Sequence, residues 1–285
     1  MKPLQFFKRK GQPEPEPADF LGHLTRAYTN FNEDTRLASQ SGQVEFLTTM
    51  RYIERYLEPG MRVLEIGAAT GRYSLAIARK GYDVTAIELV QHNIDVFRKK
   101  MQPEDKVDLQ QGNALDLSRF ADGSFDIALL LGPMYHLHTQ EDQSRALREA
   151  LRVTKPGGLL FAAYVITDMV LHTEGFLKGK LDHFITEHQM DLETFRHEPS
   201  PDPKELFNIC RREDIDALMA PLPCTRLHYV ATDGLYDYMR EAIDKMTPER
   251  FDQYMRYRFF LCEREDMAGA TNHSLDILRK DENHA

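Results

Sequence analysis

The sequence predicts an α/β fold: a seven-stranded, mostly parallel sheet with helices on both faces, its last strand antiparallel, plus a helical lid. Three observations carry that expectation. Short apolar runs alternate with segments of helical apolar spacing from residue 62 onward. The runs are nearly continuously apolar, as strands covered on both faces are. Glycine and proline punctuate the junctions between them.

A chain of 285 residues with 42% hydrophobic and 28% charged residues has material for one large core and an elaboration. The longest apolar runs, 127–131 and 159–166, fall far short of the ~20 residues a membrane helix needs, and read as buried strands. Lys8, Arg9 and Lys10 lead into Gly11 and a Pro/Glu repeat where a signal peptide would need an apolar stretch, so a cytoplasmic protein is expected. Cys210, Cys224 and Cys262 are odd in number, widely spaced and without a C-x-x-C pair, which argues for neither a disulfide framework nor a zinc site. A net charge of -9 disfavours a nucleic-acid partner.

Along the chain, residues 1–19 mix basic residues with Pro13, Pro15 and Pro17 among acids, and predict a mobile tail. Residues 20–57 carry apolar positions at helical spacing, among them Val44, Leu47, Met50 and Ile53, until Pro59-Gly60 stops the pattern. The segment 20–60 is expected to lie over the ligand site. Strand 62–66, a glycine-bearing turn, helix 72–80 capped by Gly81, and strand 83–88 make one βαβ unit. Helix 91–100, strands 107–110 and 125–131, helix 141–153, a turn at Pro156-Gly157-Gly158 and strand 159–166 continue the rhythm. Residues 167–224 break it with helix-like patterns and Pro199, Pro201 and Pro203, ending in helix 212–219, and are assigned to the lid. Strand 226–231, helices 234–246 and 248–264, and the run 274–278 complete a core made of 61–166 and 225–281.

The sharpest local feature is Val63-Leu64-Glu65-Ile66-Gly67-Ala68-Ala69-Thr70-Gly71, an apolar strand entering a small-residue turn that opens a helix. Gly67 and Gly71 permit unusual dihedrals and close backbone approach, and the helix start offers unpaired N–H groups. The spacing is G-x-A-x-G rather than G-x-G-x-x-G, which disfavours a nicotinamide dinucleotide. About 20 residues further on, Glu88 closes the second strand, where an acid can accept both hydroxyls of a ribose. Alone, each feature is as well explained by tight packing or a solvated strand end; together they point to a nucleoside.

The two features resemble the class I S-adenosylmethionine-dependent methyltransferases, enzymes with a Rossmann-like fold. The likeness continues through Gly112-Asn113-Ala114, Phe125-Asp126-Ile127-Ala128 and Lys155-Pro156-Gly157-Gly158, in the family's order. The resemblance implies S-adenosyl-L-methionine as cofactor, with Glu65, Gly67, Ala68, Ala69 and Gly71 wrapping its methionine part and Glu88 holding the ribose. Asn113, where the family commonly has Asp, would accept from the adenine amino group. Leu89 and Ala114 would sandwich the adenine, and Leu131 would lie beneath the activated methyl; core packing explains these three as well. Tyr28 and Arg36 precede the core where related enzymes fold a segment over the cofactor, Tyr28 closing the pocket and Arg36 pairing with the methionine carboxylate.

After the fourth strand, Tyr135 and His136 stand at the carboxyl edge of the sheet, where ligands of open α/β folds bind. Either can take a proton from an acceptor oxygen or nitrogen, or simply line the pocket. His136 and His138 lack a placed third ligand, so no metal is expected. Methyl transfer needs alignment and exclusion of water more than acid–base work. Acceptor choice is therefore expected in the lid, where Met169, Leu171, Phe176, Leu181, Phe184, Ile185 and Met190 recur at roughly amphipathic spacing, and in the N-terminal helix; a partner-binding face or simple core cover explains those residues equally well. A small-molecule acceptor is the expectation. The alternatives are an RNA or protein methyltransferase, or a cofactor-binding protein without catalysis.

Overall fold

The computed structural model describes residues 20–30, 39–186, 190–196 and 206–282. The expected tail at 1–19 lies outside these residues. A seven-stranded sheet runs in the order β3-β2-β1-β4-β5-β7-β6. Its strands are β1 (Arg62–Ile66), β2 (Asp83–Glu88), β3 (Val107–Gln111), β4 (Phe125–Leu130), β5 (Thr154–Val165), β6 (Cys224–Ala231) and β7 (His273–Lys280). The first five pair in parallel, and β7 is antiparallel to both β5 and β6. The order reverses between β1 and β4, the switch point at whose carboxyl strand ends open α/β folds bind their ligands.

Strand alternation sends Val63, Ile127 and Leu129 to one face and Leu64, Ala128 and Leu130 to the other. The first set packs with Met50 and Ile53 of α2 (Gln40–Tyr56) and Ile77 of α3 (Arg72–Ala78). The second packs with Leu147 and Leu151 of α5 (Gln140–Val153) and Ile215 and Leu218 of α8 (Arg212–Met219). Between α3 and α5 comes α4 (Gln91–Lys100), whose Phe97 is fully buried with Leu75 and Ala86. Helices α9 (Tyr236–Asp244) and α10 (Pro248–Leu261) lie between β6 and β7.

The stretch 20–57 is two described helices rather than one. α1 (Phe20–Asn30) ends early, and α2 starts afresh at Ser39, whose hydroxyl accepts from Gly42 N at 3.1 Å. The expected turn at Pro156-Gly157-Gly158 lies inside β5. Phe125 pairs with Thr154 and Ile127 with Leu159, so the intervening residues form a bulge, with Gly157 at φ 73.

The described part of 167–224 holds α6 (Thr167–Val170), which widens into a π-helical turn (Leu171–Leu177), then α7 (Leu181–Thr186) and α8. Leu171, Phe184, Met190 and Ile209 pack on Val165 at the end of β5. Phe176 is 57% exposed, against its expected place on the apolar face. The π-helical turn winds more residues per turn and rotates it away.

Candidate functional site

β1 leaves the sheet through a loop at 67–71 that is spliced to β2: Gly67 N and Ala68 N both donate to Ile87 O, at 2.8 and 3.0 Å. Gly67, Ala69 and Gly71 take φ of 76, 47 and 86, the left-handed region that favours glycine. A Cβ at 67 would stand 2.8 Å from the Pro133 ring, and one at 71 only 2.4 Å from the Phe97 ring. The tight approach these glycines permit is thus to Pro133 and Phe97, which fix the shape of the loop.

Two buried carboxylates flank it. Glu65 Oε2 accepts from Ser74 N at 2.9 Å and from Ser74 Oγ, so it supplies the N-terminal cap that Gly71, without a side chain, cannot give α3. Burial pushes its pKa up to about 8, against the pull of the Ser74 bonds and with a push from the Glu88 charge. Glu88, 5% exposed, accepts from Ala69 N through Oε2 at 2.9 Å, and through Oε1 from Val90 N at 2.9 Å and Asn93 Nδ2 at 3.2 Å. Burial raises its pKa too, opposed by these donors. The backbone N–H of Leu89 adds a further bond to the same carboxylate.

Gly112 N donates to Glu88 O at 3.0 Å, and Gln111 Nε2 to Leu89 O at 3.1 Å. These bonds bring Asn113 and the 8% exposed Ala114 beside Glu88 and half-buried Leu89. Asn113 Oδ1 accepts from Leu115 N at 3.0 Å, an Asx turn that fixes the direction of its amide. Leu131 follows the last residue of β4 and is half-buried. Beyond it Gly132 approaches the first loop; a Cβ there would be 3.4 Å from Gly67 O.

Tyr28 of α1 reaches the same edge, its hydroxyl 2.7 Å from His136 Nε2. His136 Nδ1 lies 2.9 Å from Leu206 O, which only accepts, so Nδ1 carries the proton and Nε2 accepts from Tyr28. Burial lowers the His136 pKa to about 4, with the nearby His138 adding to the effect against the Leu206 bond. His136 is therefore neutral at physiological pH. Tyr135 and His136 pack edge to face at 4.9 Å, and Phe207 covers both rings, at 5.9 and 5.3 Å. All the expected site residues gather at this edge except Arg36, which lies outside the described residues.

Sequence reasoning missed a second group at this rim. Asp233 and His273 form a carboxylate–imidazole pair at 2.7 Å, with Glu45 of α2 at 3.8 Å from the same nitrogen. A signal existed, since Asp233-Gly234 closes the apolar end of β6 much as Glu88 closes β2.

Residues 64–162 match the family model described as a methyltransferase domain. Demethylmenaquinone methyltransferase of Renibacterium salmoninarum is 39% identical over 105 residues, 37% of this chain and 41% of that protein. Ubiquinone biosynthesis O-methyltransferase of Xanthomonas axonopodis pv. citri is 33% identical over 114 residues, 39% and 46% of the two chains. The chain thus matches less than half the length of these curated relatives. A crystal structure of an S-adenosylmethionine-dependent methyltransferase of Methanosarcina mazei superposes with a TM-score of 0.55 at 22% identity, covering 81% of this chain and 97% of that one. A possible histamine N-methyltransferase of Thermotoga maritima does so with 0.58 at 19% identity, covering 91% and 99%. At such identities the likeness is one of fold, and the fold is that of the class I methyltransferases.

Proposed function

We propose that this chain, whose residues 64–162 form a class I S-adenosylmethionine-dependent methyltransferase domain, transfers a methyl group to an oxygen or nitrogen of a small molecule by in-line displacement. The observation that carries the reading is the bond between Glu88 and Ala69 N. It ties a buried acid at the end of β2 to a left-handed loop beside the point where the strand order reverses between β1 and β4.

The donor set suits an adenosyl group. Glu88 offers carboxylate oxygens to a ribose diol, Leu89 and Ala114 offer apolar faces to a purine, and Asn113 offers an amide oxygen to its amino group. The loop 67–71 takes the amino-acid end, with Arg36, outside the described residues, as partner of its carboxylate. Leu131 lies under the reacting carbon. When bound, S-adenosylmethionine supplies an electrophilic methyl on a sulfonium. The chain's own work is to align the acceptor and keep water out. Tyr28, held by His136, closes the edge from α1, while Tyr135 and Phe207 line it from the β4 loop and the lid segment. At a pKa near 4, His136 is a poor proton acceptor and serves as the anchor of Tyr28.

A small acceptor is supported by the aromatic rings of Tyr135, His136 and Phe207 at the rim and by the relatives, which their names place on menaquinone and ubiquinone precursors. No helix among the described residues is long and apolar enough to cross a membrane. Calorimetry with S-adenosylmethionine and with NAD decides the cofactor: heat with the first alone is expected, and its absence removes the reading. Labelled cofactor mixed with a fractionated cell extract then reports the acceptor pool. Label is expected in small molecules; label confined to RNA or protein overturns the choice of acceptor.

A further inference from the structure

His273 is the first residue of β7 and pairs with Val165 at the carboxyl end of β5. The reversed strand therefore delivers its first side chain to the same rim as the β1 loop. His273 Nδ1 lies 2.7 Å from Asp233 Oδ2. Asp233 is fully buried, and its Oδ1 accepts from Thr271 Oγ1, from Asn272 N at 2.9 Å and from His273 N at 3.2 Å. Such a carboxylate cannot swing away, so it fixes the ring plane and its tautomer. With Nδ1 donating to Asp233, Nε2 is the basic nitrogen. The imidazole is 21% exposed while the Asp233 side chain is 1% exposed, so the pair is anchored inside and reaches the rim at one end. Tyr135 connects it to the cradle. Its ring is 6.1 Å from that of His273, and its hydroxyl would be 3.7 Å from a Cβ on Gly132, the residue that approaches Gly67 O.

We propose that His273, oriented by Asp233, is the general base of the methyl transfer, and that the acceptor is a hydroxyl compound laid along Tyr135. This rests on the methyltransferase reading above. A neutral hydroxyl needs its proton removed to be a strong nucleophile, whereas an amine already carries a usable electron pair. The acceptor O–H proton passes to His273 Nε2 as the oxygen pair forms the bond to the methyl carbon. The carbon–sulfur bond breaks with its pair remaining on sulfur. The products are the methyl ether, the neutral thioether S-adenosylhomocysteine and an imidazolium, which releases its proton to water.

The surroundings favour that cation. Asp233 at the end of β6, Glu45 on α2 at 3.8 Å and Asp237 on α9, which accepts from Asn272 Nδ2, are acidic. Tyr135 and Tyr236 are neutral neighbours, and Arg258 of α10 lies behind Asp233 against Gly234. Burial works to raise the Asp233 pKa, but the bond and charge of His273, with the Thr271 bond, hold it below the usual carboxylate range. Glu45, Asp233 and His273 bring oxygen and nitrogen atoms within 4.8 Å, a spacing that a cation can also use. Nδ1 is already committed to Asp233, which favours the dyad.

Nitrogen NMR of the imidazoles in the full chain, with the His273 signal assigned by its loss in His273→Gln, tests the tautomer without any acceptor. An Nδ1–H ring whose Nε2 titrates is expected, with the titration moved to lower pH in Asp233→Asn; an Nε2–H ring overturns the proposal. Calorimetry with S-adenosylhomocysteine separates the two readings. Affinity within about twofold of wild type in both variants is expected, and a wild type that does not bind sinks the methyltransferase reading instead. Label transfer to the small-molecule pool should fall at least ~100-fold in His273→Gln at pH 7 and recover as pH rises and the acceptor ionises unaided. An unchanged rate, or activity lost to a chelator and restored by zinc, overturns the dyad.

Discussion

Over β1, β2 and β4 the rim of the sheet is made of backbone; over β5 and β7 it is made of side chains. The first half depends on left-handed dihedrals at Gly67, Ala69 and Gly71 and on main-chain bonds from Gly67 and Ala68 to Ile87. The second depends on Tyr28 meeting His136 and Asp233 meeting His273, contacts between residues 108 and 40 positions apart. Binding of a group common to many reactions can rest on a rigid loop. Recognition of a particular acceptor needs chemistry that differs from residue to residue, and side chains supply it.

The two halves also hide opposite buried titrations, which gives the largest expected effect. The folded protein keeps the Glu65 proton up to about pH 8, whereas an unfolded chain releases it near 4.5. The folded-state pKa is raised, so this contribution is complete below pH 4.5 and drains as pH rises toward 8. At roughly 1.4 kcal/mol per pH unit, the loss is about 4–5 kcal/mol. Urea denaturation across pH should show Glu65→Gln relatively more stable than wild type at pH 8 than at pH 4.5 by about that amount. Equal pH slopes in the two proteins would remove the buried acid from the account.

Next in size is Gly71→Ala. A left-handed alanine costs about 1–2 kcal/mol, and overpacking against a buried ring about 1–3 kcal/mol. A loss of about 3–4 kcal/mol is expected at the denaturation midpoint, together with weaker S-adenosylmethionine binding by calorimetry. If the variant is as stable as wild type, the loop is not the rigid half of the rim.

On the acceptor side His136 slopes the other way. Its folded-state pKa is near 4 and its unfolded one near 6.5, so its contribution is complete above pH 6.5 and is lost as pH falls to 4. The expected loss is about 3 kcal/mol, and His136→Gln should flatten that limb of the stability curve. Between pH 4.5 and 6.5 the Glu65 and His136 slopes oppose each other, so the single variants should expose a dependence that the wild type partly conceals.

The backbone half was the legible one. Strand runs, the small-residue turn and Glu88 are local patterns, and the seven strands and the reversed β7 stand where the apolar runs predict them. Patterns failed where geometry departs from a regular period. Pro156-Gly157-Gly158 reads as a turn yet lies in a bulge within β5, because Thr154 still pairs with Phe125. Phe176 reads as apolar-face and is exposed, because the helix there widens. The Asp233–His273 pairing failed for another reason: an acid after an apolar strand can be seen in the sequence, but its partner cannot, because only the antiparallel insertion of β7 beside β6 brings the two together.

The smallest effect bears on the one non-glycine in the cradle. Ala69 takes φ 47 between Gly67 and Gly71, and its N–H is the donor to Glu88. Its Cβ costs about 1–2 kcal/mol there, while glycine would cost about 0.5–1 kcal/mol through the greater freedom of the unfolded chain. Ala69→Gly should therefore stabilise by about 0.5–1 kcal/mol in urea, and by leaving the N–H in place it should keep cofactor affinity within about twofold. If the variant is instead destabilised, the methyl group packs favourably enough to outweigh its strain. The backbone half of the rim would then depend on a side chain after all, and the contrast with the β5–β7 half would weaken at its centre.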